Sequence, residues 1–559
     1  MDLTPRPNAR DPLTQGVLTE AGPTPPPPRP PGNSLPTPIK VRELARLLRE
    51  VDHPGRDYII EGFSKGFDLG FRGPESALDA SNNLSVNQNP EAALEKVLSE
   101  VKLGRIAGPF PSPPLPNFKC SPLSLREKST PGKYRLLHNL SYPYNESAVN
   151  FNIPPEASHL QYSDIRDAIE MINQFDLLFL AKADIKEAYR LVPLSPACYH
   201  LLGFKLKGSF YYDRCLPMGA SSSCKIFETI SSSLLHILFS LYKVKYVVKM
   251  LDDFLFLGKS ERECQYGLDS FVHLCRLVGI PLANEKTVPP SRSVTFLGVC
   301  IDTQNKVISI PMDKVSGYLG KVSAVIEAGT CSLRELKSLI GKLQFSCLVI
   351  PAGRCFLRRL HDATMGNTNP HRKVTLPAES KKDLEIWRDF LSHFNGRGLL
   401  SYGPSLSSLD LHMHSDSSLT GYGATLGTRF IEGMFPPSWE GLDIQTLELY
   451  PILALILSFS PYLAGKSIVM HVDNLGLVHM LNKQTSRSKS VMALLRPLVL
   501  CFLTNNIKFK AVHIRGSLNT LCDLLSRQQA SPEVLSFYGM DETPTPLAPN
   551  ILPESWSFS

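Results

Sequence analysis

No two cysteines in this 559-residue chain are spaced as C-x-x-C; its 12 Cys stand singly. That excludes a zinc ribbon or zinc knuckle, both of which need close ligand pairs. No D-[ST]-G triplet occurs, so the aspartic protease signature is missing. No run of about 18 apolar residues appears, and no membrane span is expected. The polar, Pro-rich start over residues 1–37 has no signal-peptide pattern. These absences lead to the expectation of an intracellular protein with reduced thiols, in cytoplasm or nucleus. Charge of one sign is also in short supply. A formal net charge of +7 permits a nucleic-acid partner without demanding one. There is no internal repeat.

What is present is enough apolar material for several domains, with 43% hydrophobic and 20% charged residues. Residues 1–37, with GPTPPPPRPPG, read as a disordered or polyproline arm whose PxxP stretches offer a docking role. Residues 38–110 read as a helical N-terminal extension: VRELARLLREV and PEAALEKVLSEVKLG both have helical spacing. Strands and helices interleave over 111–310. Residues 311–404 are largely helical. A second α/β pattern fills 405–530: two strands, a long helix, a strand, helices, a strand and a helix. Residues 531–559 are Pro- and Ser-rich and read as a tail.

Two groups of acids stand out. In LLFLAKADIKEAYRLVPL an apolar strand runs into Asp184. In KYVVKMLDDFLFLG two apolar runs flank Leu251-Asp252-Asp253, a β-hairpin with paired Asp at its turn. An Asp pair in a turn is also ordinary turn chemistry. Acids on neighbouring strands are, however, what two-metal phosphoryl transfer needs: two divalent ions about 4 Å apart, held from separate elements. Hard Mg2+ prefers such oxygen ligands. The second group is spread over four segments. LHMHSDSSLTGYGATLG is a strand carrying Asp416, a turn and a second strand. QTLELYPILALIL is a helix with Glu448 near its start. SIVMHVDNLGLVHMLNK is a strand ending in Asp473, then a helix. IKFKAVHIRGSLNTLCDLLSR is a strand, a turn and a helix carrying Asp523. Any one of these reads equally as a solvated charge or cap; four carboxylates on separate elements are also what holding two metals to activate water against a phosphodiester needs.

The first group resembles the reverse transcriptases. ADIKEAY resembles that family's first metal motif, with Asp184 as ligand. Tyr189 matches the position whose ring excludes ribonucleotides. LPMGASSSCKIFE resembles the LPQG-x-x-x-SP loop, with Gly219 allowing close backbone approach. MLDDFLF resembles the YxDD hairpin. In GIPLANEKT, Lys286 takes the place of a lysine near the leaving pyrophosphate. In VTFLGVCID, Phe296-Leu297-Gly298 matches the turn that grips the primer. SLREKSTPGKYRLLHNLS resembles the fingers segment that clamps the triphosphate; Lys128 and Arg135 align with its two cations, and Lys133 competes for the lysine. Met250 replaces the usual Tyr, and Met218 and Cys224 replace Gln and Pro. LPMG-x-SSSC, LDDF and IIEGFSKGFDLGF are most like tyrosine-recombinase retrotransposons of the DIRS type, a gypsy-like element being the competing assignment.

The second group resembles ribonuclease H. HIRGSLNTLCDLLSR is close to its H-x-x-G-x-x-N-x-x-x-D-x-L-S-R pattern, which makes His513 the mobile histidine that helps product leave or moves protons. Leu475 is bulkier than the small residue expected two positions after Asp473. The two resemblances cover roughly residues 110–530. They imply an α/β and α+β multidomain chain: a right-hand polymerase of fingers and palm (111–310) and thumb or connection helices (311–404), then a ribonuclease H-like α/β domain. The implied activities are RNA-directed DNA polymerase and ribonuclease H. The implied cofactor is Mg2+, two per site, with Mn2+ as substitute. The implied partners are RNA template, DNA primer, RNA–DNA hybrid and dNTPs, with no membrane. No integrase or recombinase block follows the second group, so a recombinase would be a separate element-encoded partner. The alternative is a catalytically inactive or host-adapted nucleic-acid-binding relic of a retroelement; the intact set of seven acids argues against it.

Overall fold

The computed structural model describes residues 35–127, 132–366, 368–394, 398–399 and 411–558. Nearly all of the Pro-rich arm and Lys128 therefore lie outside the described residues. The chain is a mixed α/β, multidomain protein that divides into two compact units. One takes the chain up to Leu160 with Glu187–Ile237 and Leu277–Ile280; the other takes Gln161–Lys186, Leu238–Arg276 and everything from Pro281 on.

In the first unit, the helices Val41–Glu50, Arg56–Lys65 and Pro90–Lys102 form where the sequence places helical spacing. Leu44, Ala45, Leu47 and Leu48 are the buried stripe of the first. Pro90 opens the third, where its missing N–H costs nothing. The sequence predicts only helices over 38–110. The structure adds two strands, Leu78–Asp79 and Ile106–Phe110, at the two edges of a five-stranded sheet. The second carries Pro109, which cannot donate to a ladder and is tolerated at such an edge. Lys119–Cys120, Gly203–Leu206 and Ser209–Asp213 fill the middle. Leu123–Glu127 pairs with Tyr134–His138 as a separate antiparallel ribbon.

The second unit holds a four-stranded sheet ordered Val288–Ser291, Phe179–Asp184, Asp253–Gly258, Val247–Met250. Phe254, Leu255 and Phe256 are fully buried, so both faces of their strand are covered, which is why it reads as an unbroken apolar run. Helices Met312–Ala328, Leu333–Ser346 and Ala378–His393 follow. Ser332 and Glu335 cap the second of these reciprocally.

A five-stranded sheet completes this unit, ordered Arg429–Met434, Gly421–Leu426, Leu411–Ser417, Ser467–Val472, Lys508–His513. The first three strands run antiparallel and the last two parallel. Arg429–Met434 is a third strand where the sequence predicts two. RFIEGM lacks strict alternation, and its place is fixed by pairing with Gly421–Leu426. Helix Ile444–Leu463 is the one described helix long and apolar enough to cross a membrane, but 72% of that stretch is buried inside the protein, so it is a core helix. Residues 531–559, read from the sequence as a tail, include helix Pro532–Phe537 and dock on this core. Tyr450 Oη donates to the Ile551 carbonyl at 2.9 Å, and Trp439 meets Phe558 edge-on.

Candidate active sites

The paired-Asp hairpin forms as expected. Val247–Met250 and Asp253–Gly258 pair antiparallel, and Leu251 takes a left-handed φ of 54° to close the turn. Asp253 lies directly across from Asp184 on the neighbouring strand, and Ile185 N donates to Asp252 O at 3.0 Å. The three acids are thus brought together by register alone.

Two lysines attend them. Lys286 Nζ sits 2.9 Å from each oxygen of Asp184, and Lys182 Nζ lies 3.0 Å from Asp253 Oδ1. Lys182 was not foreseen. It stands in AKADIKEAY two residues before Asp184, on the same face of its strand, and that period was the available signal. Burial, then the Asp184 charge, pushes Asp252 up to about 6. Asp184 is also raised, by burial first; Lys286 opposes the rise. Burial alone would lower Lys286, but its bond to Asp184 holds it above its ordinary value. The Leu297-Gly298 turn is present with both φ positive, at 47° and 83°, the pattern of a tight hairpin.

The remaining nucleotide-side candidates belong to the first unit. Tyr189 Oη is 3.0 Å from Cys224 Sγ, and its ring meets Phe227 edge-on. Cys224 therefore fastens the ring of Tyr189. Gly219 has φ +151°, and a Cβ there would stand 1.8 Å from the His138 carbonyl oxygen, so no other residue fits. Arg135 lies on the ribbon strand Tyr134–His138, and Lys133 precedes it.

The second group of acids also converges. Asp416 is on Leu411–Ser417, Glu448 in the first turns of Ile444–Leu463, Asp473 just after Ser467–Val472, and Asp523 in Thr520–Ser526. Burial pushes Glu448 up to about 8, with Asp473 and Asp416 adding to the rise. Burial also raises Asp416, with Asp473 and Asp523 adding and Ser526 opposing. Glu448 Oε2 is buried without a hydrogen-bond partner. Ser526 Oγ donates to Asp416 Oδ2 at 2.7 Å, and Asn519 Nδ2 to the Ser415 carbonyl at 2.8 Å. Both residues belong to the N-x-x-x-D-x-L-S-R pattern, but their roles were not assigned from it. Asp523 pairs with Arg527 at 2.9 Å. His513 Nε2 is 3.1 Å from the Asp473 carbonyl. Leu475 is 55% exposed at the start of its helix, so its bulk points to solvent and not into the core.

Among the described residues no three His, Cys, Asp or Glu side chains close into a metal cage. The chemistry of both groups nevertheless fits hard divalent cations: the donors are carboxylate oxygens from separate elements, raised by burial and mutual repulsion, and one is left unpartnered.

Residues 127–301 match the family model described as reverse transcriptase (RNA-dependent DNA polymerase). That part of the chain is similar to reverse transcriptases, and the chain is also similar to retroviral polyproteins. It is 24% identical over 298 residues to the Gag-Pro-Pol polyprotein of Human T-cell leukemia virus 3 (strain Pyl43), covering 51% of this chain and 19% of that protein. To the Gag-Pro-Pol polyprotein of Bovine leukemia virus it is 23% identical over 218 residues, covering 38% and 14%. The chain thus spans about a fifth of the length of the first of these relatives. Among solved structures, a foamy viral protease-reverse transcriptase in complex with double-stranded DNA matches with a TM-score of 0.47 and 13% identity, over 87% of this chain and 84% of that one.

Proposed function

We propose that this chain is an RNA-directed DNA polymerase with a ribonuclease H activity, serving a retroelement most like the DIRS type. The observation that carries the polymerase is the register of Asp184 against Asp253, with Asp252 beside them, inside the segment that matches the reverse transcriptase model. On this reading 111–310 are fingers and palm, 311–404 thumb or connection, and 405–530 the hydrolase. Asp184, Asp252 and Asp253 would hold Mg2+ in the first site, and Asp416, Glu448, Asp473 and Asp523 in the second. Bound there, the ions would supply Lewis acidity for phosphoryl transfer. Lys286 offsets charge beside Asp184. Tyr189, fastened by Cys224, screens the sugar. Gly219 lets backbone approach the base pair, and Lys128 and Arg135 would neutralise developing charge on the triphosphate. His513, next to the Asp473 backbone, assists product departure.

Purified protein given a DNA primer on poly(rA), dNTPs and Mg2+ tests this reading. Template-directed extension, with release of fragments from an RNA–DNA hybrid, supports it. A protein inert in both assays establishes the inactive relic instead.

A further inference from the structure

Four charged or titratable side chains that the chemistry above leaves unused are linked through the interior of the first unit. Arg190, next to Tyr189 in the turn Ala188–Leu191, stands at the centre. Its Nε donates to Glu100 Oε2 at 2.9 Å, and its Nη1 is 2.7 Å from Asp213 Oδ1. Asp213 Oδ2 in turn lies 3.5 Å from His138 Nδ1. His138 Nε2 is 3.1 Å from the Gly203 carbonyl, which can only accept, so Nε2 is the donor there. Asp213 and His138 are buried, and Arg190 and Glu100 are mostly so. Burial alone would raise the Asp213 carboxyl, but Arg190 and then His138 outweigh it and hold it below its ordinary value.

The same residues end on the loop 216–219. Arg190 Nη1 reaches the Leu216 carbonyl at 3.4 Å, and the His138 backbone N donates to the Met218 carbonyl at 3.0 Å. The Pro217 carbonyl accepts from Ser223 Oγ at 3.0 Å, and the Gly219 carbonyl from Asn150 Nδ2 at 2.8 Å. Every carbonyl of the loop is thus held, and Arg190 and His138, joined through Asp213, hold two of them. His138 also ends the ribbon strand that carries Arg135. Glu100 comes from helix Pro90–Lys102, which precedes the matched segment 127–301. A buried ion network adds little net stability, because desolvation offsets the attraction. What the planar fork of an arginine fixes is direction.

We propose that Glu100, Arg190, Asp213 and His138 are positioning residues that set the 216–219 loop, Tyr189 and the ribbon of Arg135 for the incoming dNTP, a role that rests on the polymerase function proposed above. The helical N-terminal extension is then a working part of the nucleotide site through Glu100.

Primer extension on poly(rA) with Mg2+ is measured against dTTP concentration for the full-length chain, Arg190→Lys and His138→Gln. Arg190→Lys keeps the buried charge and removes the fork. His138→Gln keeps an N–H donor for the Gly203 carbonyl and removes the ring nitrogen that faces Asp213. Misplaced nucleotide contacts should raise the KM for dTTP about tenfold or more, with kcat within about threefold of native. A role in folding alone would shrink the active fraction, lowering kcat at an unmoved KM, and that result overturns the proposal. So does a native KM in folded His138→Gln, which decides the matter by itself where Arg190→Lys does not fold. A native chain that extends no primer overturns the polymerase reading, and this role with it.

Discussion

The two acid groups use the same side chains in opposite electrostatic settings. Around Asp184, Asp252 and Asp253, two lysines lie within ion-pair distance. Around Asp416, Glu448 and Asp473 the hydrogen-bond partner is neutral, chiefly Ser526, and among the described residues the nearby cation, Arg527, pairs with Asp523 at the margin and acts on Asp416 only from there. The outcome follows from charge compensation. Asp252 rises to about 6, while Glu448 reaches about 8 with one buried oxygen unpartnered. A cluster that carries its own cations is partly neutralised before any ion arrives. One without them holds a proton near neutral pH, and a divalent cation must displace it.

The sharpest way to break this comparison is to disable each group alone. Asp252→Asn should lower primer extension by about three orders of magnitude or more, since several kcal/mol of charge stabilisation is lost. Hybrid cleavage should persist. Asp473→Asn should do the reverse. If either substitution removes both activities in a folded protein, the two groups are not independent sites.

Lys286→Met probes the lysine side. Loss of one charge-stabilising group should cost about 10²-fold in extension. Asp184 would lose the cation that opposes its rise, so the acid limb of the pH–rate profile should move to higher pH. An unmoved limb would show that Lys286 does not set the protonation of Asp184.

Tyr189→Ala tests the proposed selection between sugars without touching charge. Discrimination between dNTPs and rNTPs should fall about 10- to 100-fold in a competition assay. Cys224→Ala should give a smaller loss in the same direction, because it removes only the hydrogen bond to the ring. No change in either variant would remove the sugar-screening role.

The smallest expected effect lies in stability. Glu448 has a folded pKa of about 8 against an ordinary 4.5. Its contribution is fully present below about 4.5 and is lost as pH rises through about 8. Glu448→Gln cannot ionise, so its Tm should exceed that of the native chain by a few degrees at pH 8.5 without divalent ions, and match it at pH 4.5. Mg2+ should narrow the gap by stabilising the native chain. A gap independent of pH would mean that Glu448 is already paired.

Much of this was legible in the sequence, because it is local. Apolar runs ending in Asp184 and Asp473, the Leu251 hairpin and the helix carrying Glu448 each follow from period and turn chemistry within about 20 residues. The order of the seven acids followed as well. What the sequence did not disclose depends on contacts between distant residues. Lys286 meets Asp184 across 102 positions and Ser526 meets Asp416 across 110. The strand Arg429–Met434 exists because a neighbouring strand pairs with it. The final segment docks because Tyr450 and Trp439 offer it a bond and an aromatic face. The sequence by itself determined which carboxylates are present and on which elements. Only the tertiary structure decided which carry a cation and which a proton, because burial and long-range pairing, not residue type, set the charge of a carboxyl group.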